Sequence, residues 1–398
     1  MANSEKHVTQ IIGKTLVYIF LILFPLGQLM RFESIYSFGR LSIQPIDIIA
    51  LLSLPFLVRR NIKQPPFFKY VGNYFLVILF SGILALGLFS FQVIITGLFY
   101  ILRSLSYASL LIVVYNCFVE IKEKRTLILY MIFSVTLVAL LGWVQYIFIP
   151  DLTNLKYIGW DDHLYRLVGS FLDPGFTGII LVLGFILILA KFLEMKNIKL
   201  IPLLLFFILS IAFTYSRASY LALIASLLIS LFIFHKSLKW LFIFLGFFLL
   251  IVFNLPRPAS EGVRLERLPS VYARVENYKE TVKLFKVNPL FGVGYNNMCA
   301  ARRKYLTSDS IISHSCSGSD SGLLTILATT GIIGFIIFIK LVLEIIRNLD
   351  ASVFSKSFII SSAAVLVNSN FINSLFYPWV LGWMVLLLGI SVERKIKK

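Results

Sequence analysis

The chain has 398 residues, of which 59% are hydrophobic and 14% charged, and its formal net charge at pH 7 is +18. Soluble domains carry roughly 25% charged residues, so this composition excludes an ordinary soluble protein and indicates a polytopic membrane protein. Most of the positive charge lies in short segments between apolar runs, where Lys and Arg set membrane topology. We therefore predict a membrane-lipid environment and no nucleic-acid partner.

Apolar runs recur along the whole chain, and each approaches the roughly 20 residues that a helix needs to cross a bilayer. No alternating barrel pattern appears, so the spans are predicted to be helices. The first run follows Lys6 and Lys14 as in a signal peptide, but no small-residue cleavage site follows, which indicates a retained span. The fold class is an all-α bundle of about 12 transmembrane helices with one large external loop. The predicted spans are 11–30, 43–58, 70–89, 91–118, 126–149, 174–192, 198–215, 218–235, 238–255, 321–345, 357–374 and 376–392.

Charge differs between the two sets of connecting segments. Those on the N-terminal side are rich in Lys and Arg, namely RRNIKQPPFFK, EIKEKR, KFLEMKNIK, HKSLKW, the stretch 340–356 and the tail ERKIKK. This asymmetry predicts a multi-pass protein of the inner (plasma) membrane with both termini in the cytoplasm. We expect one integral membrane domain, 1–398, in which 256–320 forms a large extracytoplasmic loop. Long loops translocate regardless of their charge.

The long loop contains a predicted amphipathic helix. Pro269 is a typical helix start, and Asn288-Pro289 is a typical stop. An apolar stripe at helical spacing predicts that this helix lies along the membrane surface. The stripe comprises Val271, Val275, Tyr278, Val282 and Phe285.

Two of the three cysteines fall in this loop. Cys299 and Cys316 can pair if the loop faces an oxidising compartment, or remain free thiols, and the sequence leaves both open. Cys117 is predicted near the inner face.

Arg103 lies deep inside the fourth predicted span. A cation at that depth costs ~2.5–3.5 kcal/mol, so it needs a partner or a water-filled cavity. Two interpretations remain open, a structural ion pair with Asp47 and an anion-binding site.

Arg217 and Arg274 are predicted to bind phosphate. Arg217 lies between two spans among small and hydroxylic residues, in FTYSRASY. Interfacial anchoring is the alternative for Arg217. We favour anion binding, because guanidinium groups bind phosphate oxygens in a bidentate way.

His314 and Asp320 occupy the segment SHSCSGSDSGLL before the tenth span. Either side chain can accept a proton from a hydroxyl group and so act as a general base. The alternatives are a surface histidine for His314 and a helix N-cap for Asp320.

The segment WDDHLYR contains the only carboxylate pair close to a histidine. The pair is Asp161 and Asp162, and the histidine is His163. The oxygen ligands would suit a divalent cation, but two acids without further ligands are typical of a solvated turn. No zinc spacing, Walker loop, dinucleotide fingerprint or nucleophile elbow is present. We predict no metal and no cofactor.

Four segments together resemble the O-antigen polymerase and O-antigen ligase superfamily of membrane glycosyltransferases. They are RLVGSFLDPGFTG, SRASYLALIASLL, RVENYKETVKLFKVNPLFGVGYNNM and TILATTGIIGFIIF, between Arg166 and Phe338. The order of these segments, with the long loop before GIIG, carries the resemblance.

The resemblance implies transfer of a glycan from an undecaprenyl diphosphate carrier to an acceptor hydroxyl on the outer side of the inner membrane. The acceptor would be another glycan or a lipid core, and neither metal nor nucleotide sugar would be needed. By position, Arg217 and Arg274 match the arginines that would hold the diphosphate, with weaker support for Arg103. The expected reaction is inverting and belongs to cell-envelope polysaccharide biosynthesis.

One departure favours a polymerase over a ligase. Ligases of this superfamily usually carry a His-Asn pair eleven residues before the glycine of GIIG, and that position here is Asp320. The nearest histidine is His314. The alternative activity is an O-antigen ligase, and the alternative from another class is a transporter of lipid-linked oligosaccharide. Transporters often have two related halves with broken helices, and no such pairing is found in this sequence.

Overall fold

The computed structural model describes residues 2–36, 39–59, 62–158, 160–234, 238–258, 260–306, 316 and 318–394. His314, one of the two predicted bases, lies outside the described residues. The described part is predominantly helical, as predicted, and contains one small antiparallel hairpin that the sequence did not predict.

The helices and strands follow one another along the chain with these bounds: α1 Ala2–Leu23, β1 Phe32–Tyr36, β2 Gly39–Ile43, α2 Pro45–Leu52, α3 Pro55–Val58, α4 Phe68–Leu84, α5 Phe91–Cys117, α6 Ile121–Phe148, α7 Pro174–Met195, α8 Ile201–Ala212, α9 Arg217–Ile233, α10 Leu238–Asn254, α11 Pro269–Val287, α12 Met298–Leu306, α13 Gly322–Arg347, α14 Val353–Asn368 and α15 Pro378–Ser391. Short 3-10 turns connect several of them, including Phe24–Met30 after α1 and Gly169–Phe171 before α7.

Each of the twelve predicted spans coincides with an apolar helical segment. Within the described residues, six are long and apolar enough to cross a membrane: His7–Met30, Phe68–Gly87, Phe91–Cys117, Ile121–Phe148, Pro174–Met195 and Gly322–Arg347. The others are shorter apolar segments: Pro45–Val58, Ile198–Ala212, Arg217–Ile233, Leu238–Asn254, Val353–Asn368 and Pro378–Ser391. The chain is thus an all-α multi-pass membrane protein, whereas the number of twelve spans stays a prediction.

Helix α7 lies at the centre of the bundle. It is apolar on all sides and almost wholly buried, as expected of a helix without a solvent face. Its neighbours are α6, α8, α9 and α14. Gly184 allows close packing, because a Cβ there would lie 2.5 Å from Val135 on α6 and 2.8 Å from Phe207 on α8.

Side-chain contacts join the helices at one end of the bundle. Nζ of Lys14 on α1 lies 2.5 Å from Oε1 of Glu123 on α6. Arg394, after α15, donates to the carbonyl oxygens of Tyr115 and Phe118 at the end of α5. The two ends of the described chain therefore lie at the same end of the bundle. Which side of a membrane this end faces stays a prediction.

Helix α13 is kinked at Gly331, whose backbone has φ 66° and ψ −172°. The segment 288–294, NPLFGVG, packs into the kink. The Val293 amide donates to the Ala328 carbonyl at 2.9 Å, and the Ile332 amide donates to the Pro289 carbonyl at 2.9 Å. The loop thus satisfies backbone groups that the kink releases from the helix.

The predicted helix of the long loop is confirmed as α11, with its start at Pro269 and its end at Val287. Of the predicted apolar stripe, Val271, Val275 and Val282 are exposed. Tyr278 instead turns inward and donates to the Asn370 carbonyl. The contact of α11 with a membrane surface stays a prediction.

Cys299 and Cys316 form a disulfide, which resolves the choice that the sequence left open. The bond links α12 to the segment just before Asp320. Cys117 is free and buried.

Candidate functional site

A cavity of about 830 Å³ lies at the end of the bundle opposite the chain termini. Its wall is built from the long loop, from the segments before α2, α7 and α15, from the middle of α5, from the first turns of α7 and α9, and from the N-terminal part of α13. Four of the five predicted site residues line this one cavity, namely Arg103, Arg217, Arg274 and Asp320. The fifth, His314, is outside the described residues.

Arg217 begins helix α9, whose N-cap is Ser216. Its guanidinium group reaches across to the segment before α11 and to the first turn of α11. Nη1 donates to the carbonyl oxygens of Leu265 at 3.1 Å and Arg267 at 3.0 Å, and Nη2 donates to the Ser270 hydroxyl at 2.6 Å. None of these acceptors carries a formal charge, so the guanidinium charge is not neutralised by them.

Three further arginines of the cavity wall bond to backbone carbonyls in the same way. Nε of Arg274 donates to the Phe371 carbonyl at 3.0 Å. Nη1 of Arg267 donates to the Gly262 carbonyl at 2.7 Å. Nε of Arg166 donates to the Thr214 carbonyl at 3.1 Å. We call Arg166, Arg217, Arg267 and Arg274 the arginine cluster.

The four charges of the arginine cluster repel one another. Burial, followed by the charges of Arg217 and Arg274, lowers the pKa of Arg267. Burial and the nearby Arg267 lower the pKa of Arg166 to about 10. Because four guanidinium groups line this part of the wall, it suits a multivalent anion.

Arg103 is neutralised, in contrast to the arginine cluster. Its Nη2 lies 2.8 Å from the Asp47 carboxylate, and it also donates to the Ser42 carbonyl. The guanidinium carbon lies 4.9 Å from the centre of the Tyr100 ring. The ion pair that the sequence left open is therefore formed. A role of Arg103 in diphosphate binding stays a prediction.

Asp320 points a carboxylate at the cavity from the segment before α13. Its backbone amide donates to Asn277 Oδ1 on α11 at 3.0 Å, and the N-cap of α13 is Ser321. Burial raises the pKa of Asp320, against the opposing effects of Arg274 and Arg302. Among described residues, no side chain forms an ion pair or hydrogen bond with this carboxylate. The side chain is thus available to a ligand in the cavity.

His163 is a cavity residue whose position the sequence did not predict. It is 5% exposed, and neither ring nitrogen has a hydrogen-bond partner in the described part of the chain. Burial, followed by the charge of Arg166, lowers the pKa of His163 to about 4, so the imidazole is neutral at pH 7. In the sequence, the WDDHLYR segment was the signal that could have pointed to His163.

Among the described residues, no group of three or more His, Cys, Asp or Glu is placed to hold a metal ion.

Arg166 and Arg267 were also not predicted as site residues. They lie about a hundred positions apart in the sequence, and only the fold brings both to the cavity. Arg166 falls within the RLVGSF segment of the resemblance, whereas Arg267 has no sequence signal beyond its charge.

Residues 202–339, about a third of the chain, match a family model described as O-antigen ligase. This range includes Arg217, Arg267, Arg274 and Asp320, whereas Arg103, His163 and Arg166 lie outside it. No curated protein matches the chain. The family match confirms the resemblance to the O-antigen polymerase and ligase superfamily.

Proposed function

With residues 202–339 belonging to the O-antigen ligase family, we propose that the protein transfers a glycan from an undecaprenyl diphosphate carrier to an acceptor sugar hydroxyl. The reaction takes place at the outer face of the inner membrane. The observation that carries this proposal is the shared cavity, whose wall holds both the arginine cluster and the carboxylate of Asp320.

The arginine cluster would bind the diphosphate of the donor. Departure of a lipid diphosphate develops negative charge on the leaving oxygen. Fixed cations in a site shielded from water stabilise that charge more than mobile ones, because they need no reorganisation during the reaction. Arg217 and Arg274 would contact the diphosphate, with Arg166 and Arg267 adding positive potential. These side chains supply the positive charge that a metal would otherwise provide.

Asp320 would act as the general base. The acceptor hydroxyl oxygen attacks the anomeric carbon, the bond from that carbon to the diphosphate oxygen breaks, and the diphosphate leaves with the electron pair. Asp320 takes the hydroxyl proton. A single displacement inverts the anomeric configuration. Burial raises the pKa of Asp320, which makes its carboxylate a stronger proton acceptor. His314 remains the alternative base.

We favour a polymerase, in which the acceptor is a second lipid-linked oligosaccharide, because Asp320 stands where ligases usually carry the His-Asn pair. The test uses purified protein in detergent with a lipid-diphosphate-linked oligosaccharide and no added metal, and the products are resolved by size. A ladder of products identifies a polymerase, and transfer only to an added lipid core identifies a ligase. In proteoliposomes, movement across the bilayer without bond formation would overturn the proposal in favour of a transporter.

Two substitutions test the assigned roles. A base contributes about 10²–10⁴-fold to a rate, and electrostatic stabilisation is usually the largest single effect. We therefore expect Arg217→Ala to lower kcat/KM by at least as much as Asp320→Asn, with both losses at or above about 100-fold.

Arg257→Ala is the matched control, because Arg257 is an exposed arginine of the same loop that does not line the cavity. It should retain wild-type activity. Thermal unfolding of each variant shows whether the protein is still folded. A folded Arg217→Ala protein with wild-type activity would contradict the assigned role.

A further inference from the structure

A second part of the cavity wall differs in chemistry from the arginine cluster. It is formed by uncharged amide and aromatic side chains, which we call the amide wall: Gln28, Gln44, Tyr295, Asn296, Phe376 and Asn373. The two arginines near this wall are neutralised. Arg103 pairs with Asp47, and Arg31 pairs with Glu33 at 2.8 Å.

Hydrogen bonds fix part of the amide wall in place. Nε2 of Gln44 donates to Oε1 of Gln28 at 2.8 Å, and Nε2 of Gln28 donates to the Tyr377 hydroxyl at 3.0 Å. The Tyr377 ring in turn stacks on Phe176, with the ring centres 3.9 Å apart. Gln44 is only 2% exposed. The position of its amide group is therefore set by the fold before any ligand arrives.

One buried oxygen of the amide wall, Oδ1 of Asn373, has no hydrogen-bond donor among the described residues. The side-chain oxygen of Gln44 instead faces the backbone amide of Asp47 in a capping box at the start of α2. A buried polar group without a partner is costly, and each amide oxygen is an acceptor that requires an N–H or O–H donor. A diphosphate offers acceptor oxygens only, so it cannot satisfy the Asn373 oxygen. Sugar hydroxyls can.

Asn373 also lies next to the segment that carries Asp320. A Cβ on Gly318 would be 2.5 Å from Nδ2 of Asn373, so the two segments are in direct contact. A sugar that bonds to Asn373 is therefore held beside the proposed base. The ring of Tyr295 packs edge-on against Phe376, which adds an apolar surface suited to a sugar ring.

We propose that the amide wall is the acceptor subsite, and that it binds an uncharged sugar unit through its hydroxyl groups. This inference rests on the proposed glycosyltransferase activity. It divides the cavity into a donor part, where arginines bind phosphate, and an acceptor part, where amide oxygens bind hydroxyl groups. It also assigns Arg103 to the acceptor part of the cavity.

The test measures KM for donor and acceptor separately. The donor is the lipid-diphosphate-linked oligosaccharide. The acceptor probe is the same oligosaccharide released from the lipid and reduced with borohydride, so that it accepts a glycan but cannot donate one. Asn373→Ala removes the unsatisfied amide oxygen. We expect a rise of about tenfold in acceptor KM for this variant, with donor KM unchanged within about twofold.

Asn368→Leu is the matched control. Asn368 is fully buried, its side-chain atoms also have no partner among the described residues, and it does not line the cavity. This variant should leave both KM values unchanged. Thermal unfolding adds a second readout, because removal of an unsatisfied amide should not destabilise the protein, whereas removal of a structural amide would.

An unchanged acceptor KM in Asn373→Ala, or an equal rise in donor KM, overturns the acceptor subsite while leaving the proposed activity intact. If the wild-type protein transfers no glycan, the proposed function itself fails, and the subsite fails with it.

Discussion

The arginine cluster shows how hydrogen-bond partners decide whether a charged residue is structural or available for binding. Arg103 has a carboxylate partner and adds little net charge to the cavity. Arg217 and Arg274 bond to carbonyl and hydroxyl oxygens, which fix the guanidinium groups without cancelling their charge. Fixed, uncancelled charge is the arrangement expected where an anionic transition state must be stabilised.

His163 makes stability depend on pH. Its pKa is about 4 in the folded protein, below the ordinary value of 6.5, because it is buried beside Arg166 and Arg267, with Asp161 and Asp162 opposing in part. The folded protein holds His163 in its neutral form, and the unfolded chain gains a proton first as the pH falls. The contribution of His163 to the free energy of unfolding is therefore fully present above about pH 6.5 and is lost as the pH falls toward 4. Between pH 7.5 and pH 5 the loss amounts to about 2 kcal/mol.

We therefore expect the unfolding temperature in detergent to fall less between pH 7.5 and pH 5 in His163→Gln than in the wild type. His7→Gln is the control, because His7 is exposed and lies on α1, away from the cavity. It should keep the wild-type pH dependence. Equal pH dependence in the wild type and His163→Gln would show that the histidine is not buried in neutral form.

At this scale the sequence predicted the residues that stand in recognisable segments. Arg217, Arg274 and Asp320 were predicted because they accompany SRASY, NPLFGVG and GIIG, and all three line the cavity, while their roles stay predictions. His163, Arg166 and the amide oxygen of Asn373 were not assigned to the site. Their positions depend on burial and on contacts between segments far apart in sequence, which composition and spacing do not encode.

Among the helices, α13 and the NPLFGVG segment form one interlocked unit. Gly331 adopts a backbone conformation that is essentially restricted to glycine, and a Cβ there would lie 2.2 Å from the Leu290 carbonyl oxygen. Gly292 makes the reciprocal contact, since its Cβ would lie 2.4 Å from the Thr329 carbonyl carbon. The two glycines let the loop and the helix touch backbone to backbone.

Gly331→Ala should therefore destabilise the protein by about 2 kcal/mol or more, from backbone strain and from the clash together. Thermal unfolding in detergent measures the loss. Gly246→Ala is the control, because a Cβ at this exposed position of α10 meets nothing within 4 Å. It should be neutral or slightly stabilising. An unfolding temperature for Gly331→Ala equal to that of the wild type would show that the kink is not rigid.

Helix bounds were easier to predict than helix shape. The start of α11 at Pro269 and its end before Asn288 followed from Pro and Asn-Pro signals. The kink at Gly331 was not predicted, because glycine is frequent in transmembrane helices and only its contact with the loop reveals its conformation. The inward turn of Tyr278 likewise depends on a partner, the Asn370 carbonyl, that helical periodicity does not show.

For the whole molecule, the shared location of the two ends of the described chain agrees with an even number of spans, and the charge pattern predicts that this end is cytoplasmic. The prediction is tested with single cysteines in a Cys117→Ser background and a membrane-impermeant maleimide on intact spheroplasts. Lys196→Cys, between α7 and α8, should be protected. Arg257→Cys, after α10, should be labelled.

Cys299 and Cys316 should not react unless a reductant is added, because they are joined by a disulfide. Labelling of Lys196→Cys together with protection of Arg257→Cys would reverse the predicted topology and place the cavity on the cytoplasmic side.

The mutual repulsion within the arginine cluster has a consequence for turnover. In the proposed reaction, arrival of a diphosphate relieves the repulsion among the four arginines. The same relief would persist after the glycan has moved, because the spent carrier would keep its diphosphate. Release of this by-product must restore the repulsion, so we expect the exit of the spent carrier, rather than bond formation, to limit the rate at which the enzyme is recycled.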